Sequence, residues 1–153
     1  MNHDDESHPD DPREPSQARL ATSATIHCLV GCGFGEVMGI VIGVALGLTT
    51  VMTLVLGVIL GFVFGFALGI VPLLRASFSM QWAAKQVLIA EGLSIAVMET
   101  AEVLIQVYTP GVMAAGLTSP TFWAGMLLAL TAGFAAAFPV NYILVGKGIR
   151  HVH

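Results

Sequence analysis

Residues 51–74 read VMTLVLGVILGFVFGFALGIVPLL, a run of 24 residues without a charged side chain. An α-helix needs about 20 consecutive apolar residues to cross the hydrocarbon core of a bilayer. A helix of a soluble bundle needs a polar outer face, and this run has none. The run therefore predicts a membrane-spanning helix.

Three similar stretches occur elsewhere in the chain. Residues 24–47 contain one charged side chain, Glu36, residues 121–145 contain none, and residues 86–108 contain three glutamates. Only 10% of all residues are charged and the mean hydropathy is +0.83, whereas about a quarter of the residues in soluble domains are charged. We predict an all-α membrane four-helix bundle over residues 21–153, with spans of about 24–47, 51–74, 86–108 and 121–145.

The N-terminal segment has a different composition. Six of the ten acidic residues precede residue 15, and large apolar side chains are almost absent from residues 1–20. Such a segment cannot bury enough apolar surface to offset the entropy lost on ordering. Residues 1–20 are therefore predicted to form a disordered acidic tail.

The positive charges predict the orientation. The six Lys and Arg residues fall before the first span, between the second and third, or after the fourth: Arg13, Arg19, Arg75, Lys85, Lys147 and Arg150. Because positive residues concentrate on the cytoplasmic side, both termini are expected in the cytoplasm, with the protein in the plasma membrane. Six positive residues are too few for a nucleic-acid-binding face.

Glycine recurs every four residues along the first two spans. Such a series follows one helix face and lets another backbone approach closely. We predict that the two spans pack as an antiparallel hairpin, and the alternative is that one glycine face mediates oligomerisation. The glycines assigned to packing are Gly31, Gly35, Gly39, Gly43, Gly57, Gly61 and Gly65.

Polar side chains in the first and third spans suggest an ion site. Cys28, Cys32 and Glu36 are spaced four apart on one helix face. An ionised carboxylate in the bilayer costs about 2.5–3.5 kcal/mol on insertion scales, so the acidic groups should face the bundle interior. Depth along the spans places Met98 and Glu99 near the level of Glu36.

Thiolate and thioether ligands suit Cu(I), and thiolate with imidazole suits Zn(II). We therefore predict a copper or zinc site in which the ion first meets His27 and Cys28, then Cys32, and then a midplane group. The predicted ligands are His27, Cys28, Cys32, Glu36, Met98 and Glu99, and the other intramembrane polar residues are Glu91, Glu102 and Asn141.

Two other functions fit the same sequence. A non-catalytic assembly subunit would use the glycine faces to dock a partner, and a proton-coupled transporter would use the glutamates while the thiols stay passive. No nucleophile elbow, P-loop or zinc-protease motif is present, so we expect no enzyme. The expected partners are the lipid bilayer and a second copy of the chain, since four helices leave little room for an internal path.

Four stretches together resemble a known family. Residues 27–39 (HCLVGCGFGEVMG), 72–75 (PLLR), 94–99 (SIAVME) and 137–141 (AFPVN) resemble the bacterial membrane family catalogued as domain of unknown function 4396. The resemblance covers about residues 24–145. It implies a small multi-span membrane protein and assigns no activity.

Overall fold

The computed structural model describes residues 16–148, and within this range it is all-helical. The fold confirms the predicted all-α bundle, and each predicted span lies on one helix, apart from a residue or two at the Ala45 end of the first. Residues 1–15 of the predicted tail lie outside the described range. The four helices are α1 (Gln17–Ala45), α2 (Thr50–Arg75), α3 (Met80–Tyr108) and α4 (Pro120–Gly146).

The first helix begins earlier than the sequence predicted. The Ser16 side chain accepts a hydrogen bond from the Arg19 backbone N–H at 3.3 Å and caps the helix. Gln17 Nε2 donates to the Tyr142 carbonyl at 2.9 Å, which ties this end to α4. Residues 17–20, which the sequence places in the tail, are therefore helical instead. The Ser16 cap and the hydrogen bond from Gln17 to Tyr142 stabilise this first turn.

The first two helices form an antiparallel pair joined by a short turn, in which Gly47 has a φ of +66°. A β-carbon added to Gly39 would lie 2.7 Å from Gly57 Cα, and one added to Gly35 would overlap the Leu60 carbonyl. One added to Gly31 would lie 3.1 Å from Gly65 Cα. The glycine faces of α1 and α2 therefore contact each other backbone to backbone.

The other two helices complete an up-down-up-down bundle. Glu99 of α3 lies against Gly61 of α2. In α4, Asn141 Nδ2 donates to Thr25 Oγ1 of α1 at 2.9 Å. Since each helix runs antiparallel to the next in the chain, α1 and α3 run parallel.

Three helices within residues 16–148 are long and apolar enough to cross a membrane. They are α1, α2 and α4, with mean hydropathies of 2.0, 2.8 and 1.7 in their most apolar windows. Helix α3 also has 29 residues but carries more charge, and two of its glutamates, Glu99 and Glu102, are buried in the bundle. The chain is thus a membrane protein, and a fourth crossing by α3 remains a prediction.

The close approach of α1 and α2 predicts how alanine substitutions alter stability. Gly39→Ala should lower the free energy of unfolding by about 1–3 kcal/mol, because the new methyl group meets α2 backbone that cannot move aside. The control is Gly92→Ala on α3, where a β-carbon meets only side-chain atoms at 3.5 Å or more. Unfolding of the purified protein in mixed micelles would measure both, and equal losses would contradict the backbone contact.

Candidate functional site

The first helix contains a local irregularity at the candidate site. Leu29–Gly33 forms a π-helical turn between the α-helical parts Gln17–Cys28 and Phe34–Ala45. Four residues overshoot one α-helical turn by about 40°, whereas the wider π turn reduces this advance. The π turn therefore helps to keep Cys28, Cys32 and Glu36 on the face toward the bundle interior, where all three are buried.

Three sulfur atoms meet at this face. Cys28 Sγ lies 3.8 Å from Cys32 Sγ, and Met98 Sδ of α3 lies 3.1 Å from Cys32 Sγ and 4.0 Å from Cys28 Sγ. Each of these residues is at most 2% exposed, and both cysteines are free thiols. We call Cys28, Cys32 and Met98 the sulfur cluster.

The surroundings of the sulfur cluster are largely apolar. Ile95 and Ala137 pack against it in the buried core. Cys32 Sγ donates to the Cys28 carbonyl at 2.9 Å, and Ser94 Oγ lies within donating distance of Cys28 Sγ at 4.0 Å. The cluster is a soft-donor site shielded from water, with one hydroxyl directed at a thiol.

A second cluster lies next to the first, toward the C-terminal ends of α1 and α3. One carboxylate oxygen from each of Glu36, Glu99 and Glu102 lies within 4.8 Å of the others, and all three residues are buried. Gln106 Nε2 donates to Glu36 Oε1 at 2.8 Å. We call Glu36, Glu99 and Glu102 the carboxylate cluster.

Two glycines shape the carboxylate cluster. A β-carbon added to Gly61 of α2 would overlap Glu99 Oε1, and one added to Gly133 of α4 would overlap the Glu102 carboxylate. The Gly61 position also faces the Cys32 carbonyl at 3.2 Å, so the two clusters adjoin there. The missing side chains of α2 and α4 thus leave the space that the glutamates occupy.

The structure separates the predicted ligands into two clusters, and Met98 belongs to a different one from that predicted. Met98 was placed with Glu36 at the midplane, but it contacts the thiols, and Glu102 occupies the position expected for it. The prediction aligned the centres of the apolar stretches. In the fold, Glu99 lies beside Glu36 as predicted, but Met98 lies about one turn away, at the level of the cysteines, and Ile95 packs against Gly65 of α2.

His27 is also placed differently from the prediction. It is half-buried and lines an apolar groove on the outside of α1 and α2, together with Phe34, Leu68 and Arg75. The residue next to Cys28 on a helix points about 100° away from it. His27 therefore does not join the carboxylate cluster and lines the outer groove instead, and its role as the first ligand met by an ion stays a prediction.

The remaining polar residues take several roles. Glu91 is half-buried against Gly69, and Asn141 links α4 to α1 through Thr25. Ser94 and Gln106 are not among the residues predicted from the sequence, although both continue a visible pattern. On α3, four-residue steps connect the site residues Ser94, Met98, Glu102 and Gln106.

Comparison with protein families confirms the resemblance seen in the sequence. Residues 18–150 match the family model described as domain of unknown function (DUF4396). No curated protein and no solved structure matches the chain.

The contact between Gly133 and Glu102 predicts a measurable coupling. Gly133→Ala should lower the free energy of unfolding by about 1–3 kcal/mol, because its methyl group would overlap the buried carboxylate. In a Glu102→Ala background the same change should cost less, with a coupling energy of about 0.5–3 kcal/mol. A double-mutant cycle on the purified protein measures this, and additive effects would contradict the contact.

Proposed function

The chain belongs to the family of the domain of unknown function (DUF4396), and from its geometry we propose that it binds a soft metal ion at the sulfur cluster and carries it through the membrane. The observation that supports this most directly is the meeting of three buried sulfur atoms 3.1–4.0 Å apart. The proposed role is ion binding and transport, without catalysis.

The donor set favours Cu(I) over Zn(II). Structural zinc takes thiolate, imidazole and carboxylate ligands, usually four in number. Met98 contributes a thioether, a donor that selects Cu(I) together with thiolates. Because His27 lines the outer groove, its imidazole, which would suit zinc, is not part of the donor set of the sulfur cluster.

The spacing of the sulfurs suits a three-coordinate ion. Metal–sulfur bonds of about 2.3 Å in a trigonal plane place the sulfurs about 4.0 Å apart. Two of the three separations, 3.8 and 4.0 Å, have nearly this value. The third, 3.1 Å between Cys32 and Met98, would open by about 0.9 Å, which the flexible methionine side chain can supply. The Ser94 hydroxyl would stabilise the thiolate of Cys28.

The depth of the cluster supports transport through the bilayer. Cys32 lies near the middle of α1, about 22 Å along the axis from Gln17 at 1.5 Å per residue. An ion bound there would lie within the hydrocarbon region.

Four helices enclose little free space, so we propose that transport uses a homo-oligomer.

The assembly-subunit alternative loses its main support. It required an exposed glycine face, but Gly35 and Gly39 of α1 contact α2 in the same chain. These glycines therefore cannot dock a second copy unless the hairpin separates. The ion site is the function that the geometry favours.

Copper binding tests the proposal directly. The purified protein should bind one Cu(I) per chain in an anaerobic titration against a chromophoric chelator, and Cys28→Ser with Cys32→Ser should abolish this binding. Met98→Leu should weaken affinity by at least about tenfold, since even changes around a ligand cost 10–100-fold.

The matched control is Met126→Leu, because Met126 is equally buried but packs against Ile40 and Phe122 away from the sulfurs. It should bind Cu(I) like the unaltered chain. Unchanged Cu(I) affinity in the double serine variant would exclude the sulfur cluster as the site. Copper uptake into proteoliposomes then tests transport separately from binding.

The distribution of charge supports an orientation. In the described range, the Lys and Arg residues all lie at the end of the bundle where α1 and α3 begin: Arg19, Arg75, Lys85 and Lys147. We propose that this end is cytoplasmic, as positive residues favour, and that the protein resides in the plasma membrane.

Reporter fusions test this orientation and the fourth crossing together. If α3 crosses the membrane, the two termini lie on one side, whereas three crossings would place them on opposite sides. Green fluorescent protein should fluoresce at either terminus, and alkaline phosphatase fused at either terminus should be inactive. Active phosphatase at the C-terminus alone would show that α3 does not cross.

A further inference from the structure

The carboxylate cluster is an unusual concentration of unpartnered polar atoms. Within residues 16–148, six buried side-chain oxygens have no hydrogen-bond donor when the carboxyl groups are ionised, and all six belong to this one site, where the Glu36 and Glu102 carboxyl groups lie within hydrogen-bonding reach of each other. Buried polar atoms are normally paired, and each exception needs an explanation. The six are Glu36 Oε2, both carboxylate oxygens of Glu99 and of Glu102, and Gln106 Oε1.

Gln106 is the informative member of the set. Its Nε2 donates to Glu36 Oε1 at 2.8 Å, which fixes the amide beside the carboxylates, while its own carbonyl oxygen stays buried and unpaired. A neutral amide has no acidic proton to share, so its free oxygen needs a donor or a cation. The unpaired oxygen of this neutral side chain thus adds to the carboxylates a further group that a bound cation would satisfy.

The positive charge needed by this site is not supplied by the described side chains around it. Arg19, Arg75, Lys85 and Lys147 lie at the opposite end of the helices. Three buried carboxylates without a nearby cation are costly in a low-dielectric interior. A bound divalent cation would offset two of the three negative charges.

We propose that Glu36, Glu99, Glu102 and Gln106 form a second metal site, separate from the sulfur cluster, that binds a hard divalent cation such as Mn²⁺ or Ca²⁺. Six oxygen donors are typical of Mg²⁺, Ca²⁺ and Mn²⁺ sites. Mg²⁺ gives up its water reluctantly, and a fully buried site suits an ion that dehydrates more readily.

The size of the cluster supports this choice. Opposite oxygens around an ion with bonds of 2.3–2.6 Å are about 4.6–5.2 Å apart. One carboxylate oxygen from each of the three glutamates lies within 4.8 Å of the others, so an ion of this size can contact all three residues without a large movement. The absence of side chains at Gly61 and Gly133 leaves room for the glutamates. A β-carbon at Gly61 would overlap Glu99, and one at Gly133 would overlap Glu102.

Binding of Mn²⁺ tests this site without reference to copper. Electron paramagnetic resonance of the purified full-length protein in detergent should show one bound Mn²⁺ per chain, displaced by Ca²⁺. Glu102→Gln, which keeps the shape of the side chain, should weaken binding at least about tenfold, and Gln106→Leu should weaken it as well. Added Mn²⁺ should also raise the Tm of the unaltered chain but not that of Glu102→Gln.

Two variants keep the result specific. Glu91→Gln removes a half-buried glutamate of the same helix outside the cluster and should bind Mn²⁺ normally. Cys28→Ser with Cys32→Ser should also bind Mn²⁺ normally, so this site can hold even if the copper proposal fails. Absence of Mn²⁺ binding to the folded protein, which is expected if the carboxyl groups hold only protons, would overturn the proposal. Competition between Cu(I) and Mn²⁺ for one site would overturn it too.

Discussion

An ionised carboxylate cannot face hydrocarbon without a cost of about 2.5–3.5 kcal/mol or more, and the placement of three glutamates follows from this constraint. Glu36, Glu99 and Glu102 all turn inward, where they are at most 3% exposed. Turning inward requires space between closely packed helices, and glycine provides it. On α2, Gly57 lets α1 approach, and Gly61 leaves room for Glu99 of α3. On α4, Gly133 leaves room for Glu102, also of α3. The same residue type therefore brings the helices together and makes room for the charged groups between them.

The chemistry of the interior follows from two parallel helices that present polar groups at matched intervals. On α1 the interval is four residues, through Cys28, Cys32 and Glu36, and Ser94 and Met98 begin the matching series on α3. An uninterrupted α-helix rotates such a series by about 40° per step, as α3 does from Ser94 to Gln106. The π turn at Leu29–Gly33 reduces this rotation on α1. Sulfur donors are thus brought together at one level, and oxygen donors at the next.

The sequence was enough to predict the four helices and the glycine hairpin, since length, hydropathy and a four-residue repeat are local properties. It also placed Cys28, Cys32 and Glu36 on an inward face. It could not give the register of α3 against α1, because α2 sets that register through contacts such as Ile95 with Gly65. Met98 was therefore assigned one turn too far along the bundle. The neutral side chain of Gln106 carries no insertion penalty that would mark it, and only its contact with Glu36 identifies it.

Two adjoining clusters with different donor atoms also bear on how one ion could move between them. Thiolate and thioether hold Cu(I) more tightly than carboxylate oxygens do, so a copper ion leaving Cys32 for Glu99 would exchange strong ligands for weak ones. Such a step is uphill unless something weakens the binding of copper by the sulfurs. A single ion visiting both clusters in turn is therefore less favourable than two ions of different kinds, each bound by the donors that suit it. The two sites adjoin where Cys32 and Glu99 both border Gly61. With a divalent cation bound, the three carboxylates would still carry one net negative charge, so filling this site would not exclude Cu(I) from the sulfur cluster.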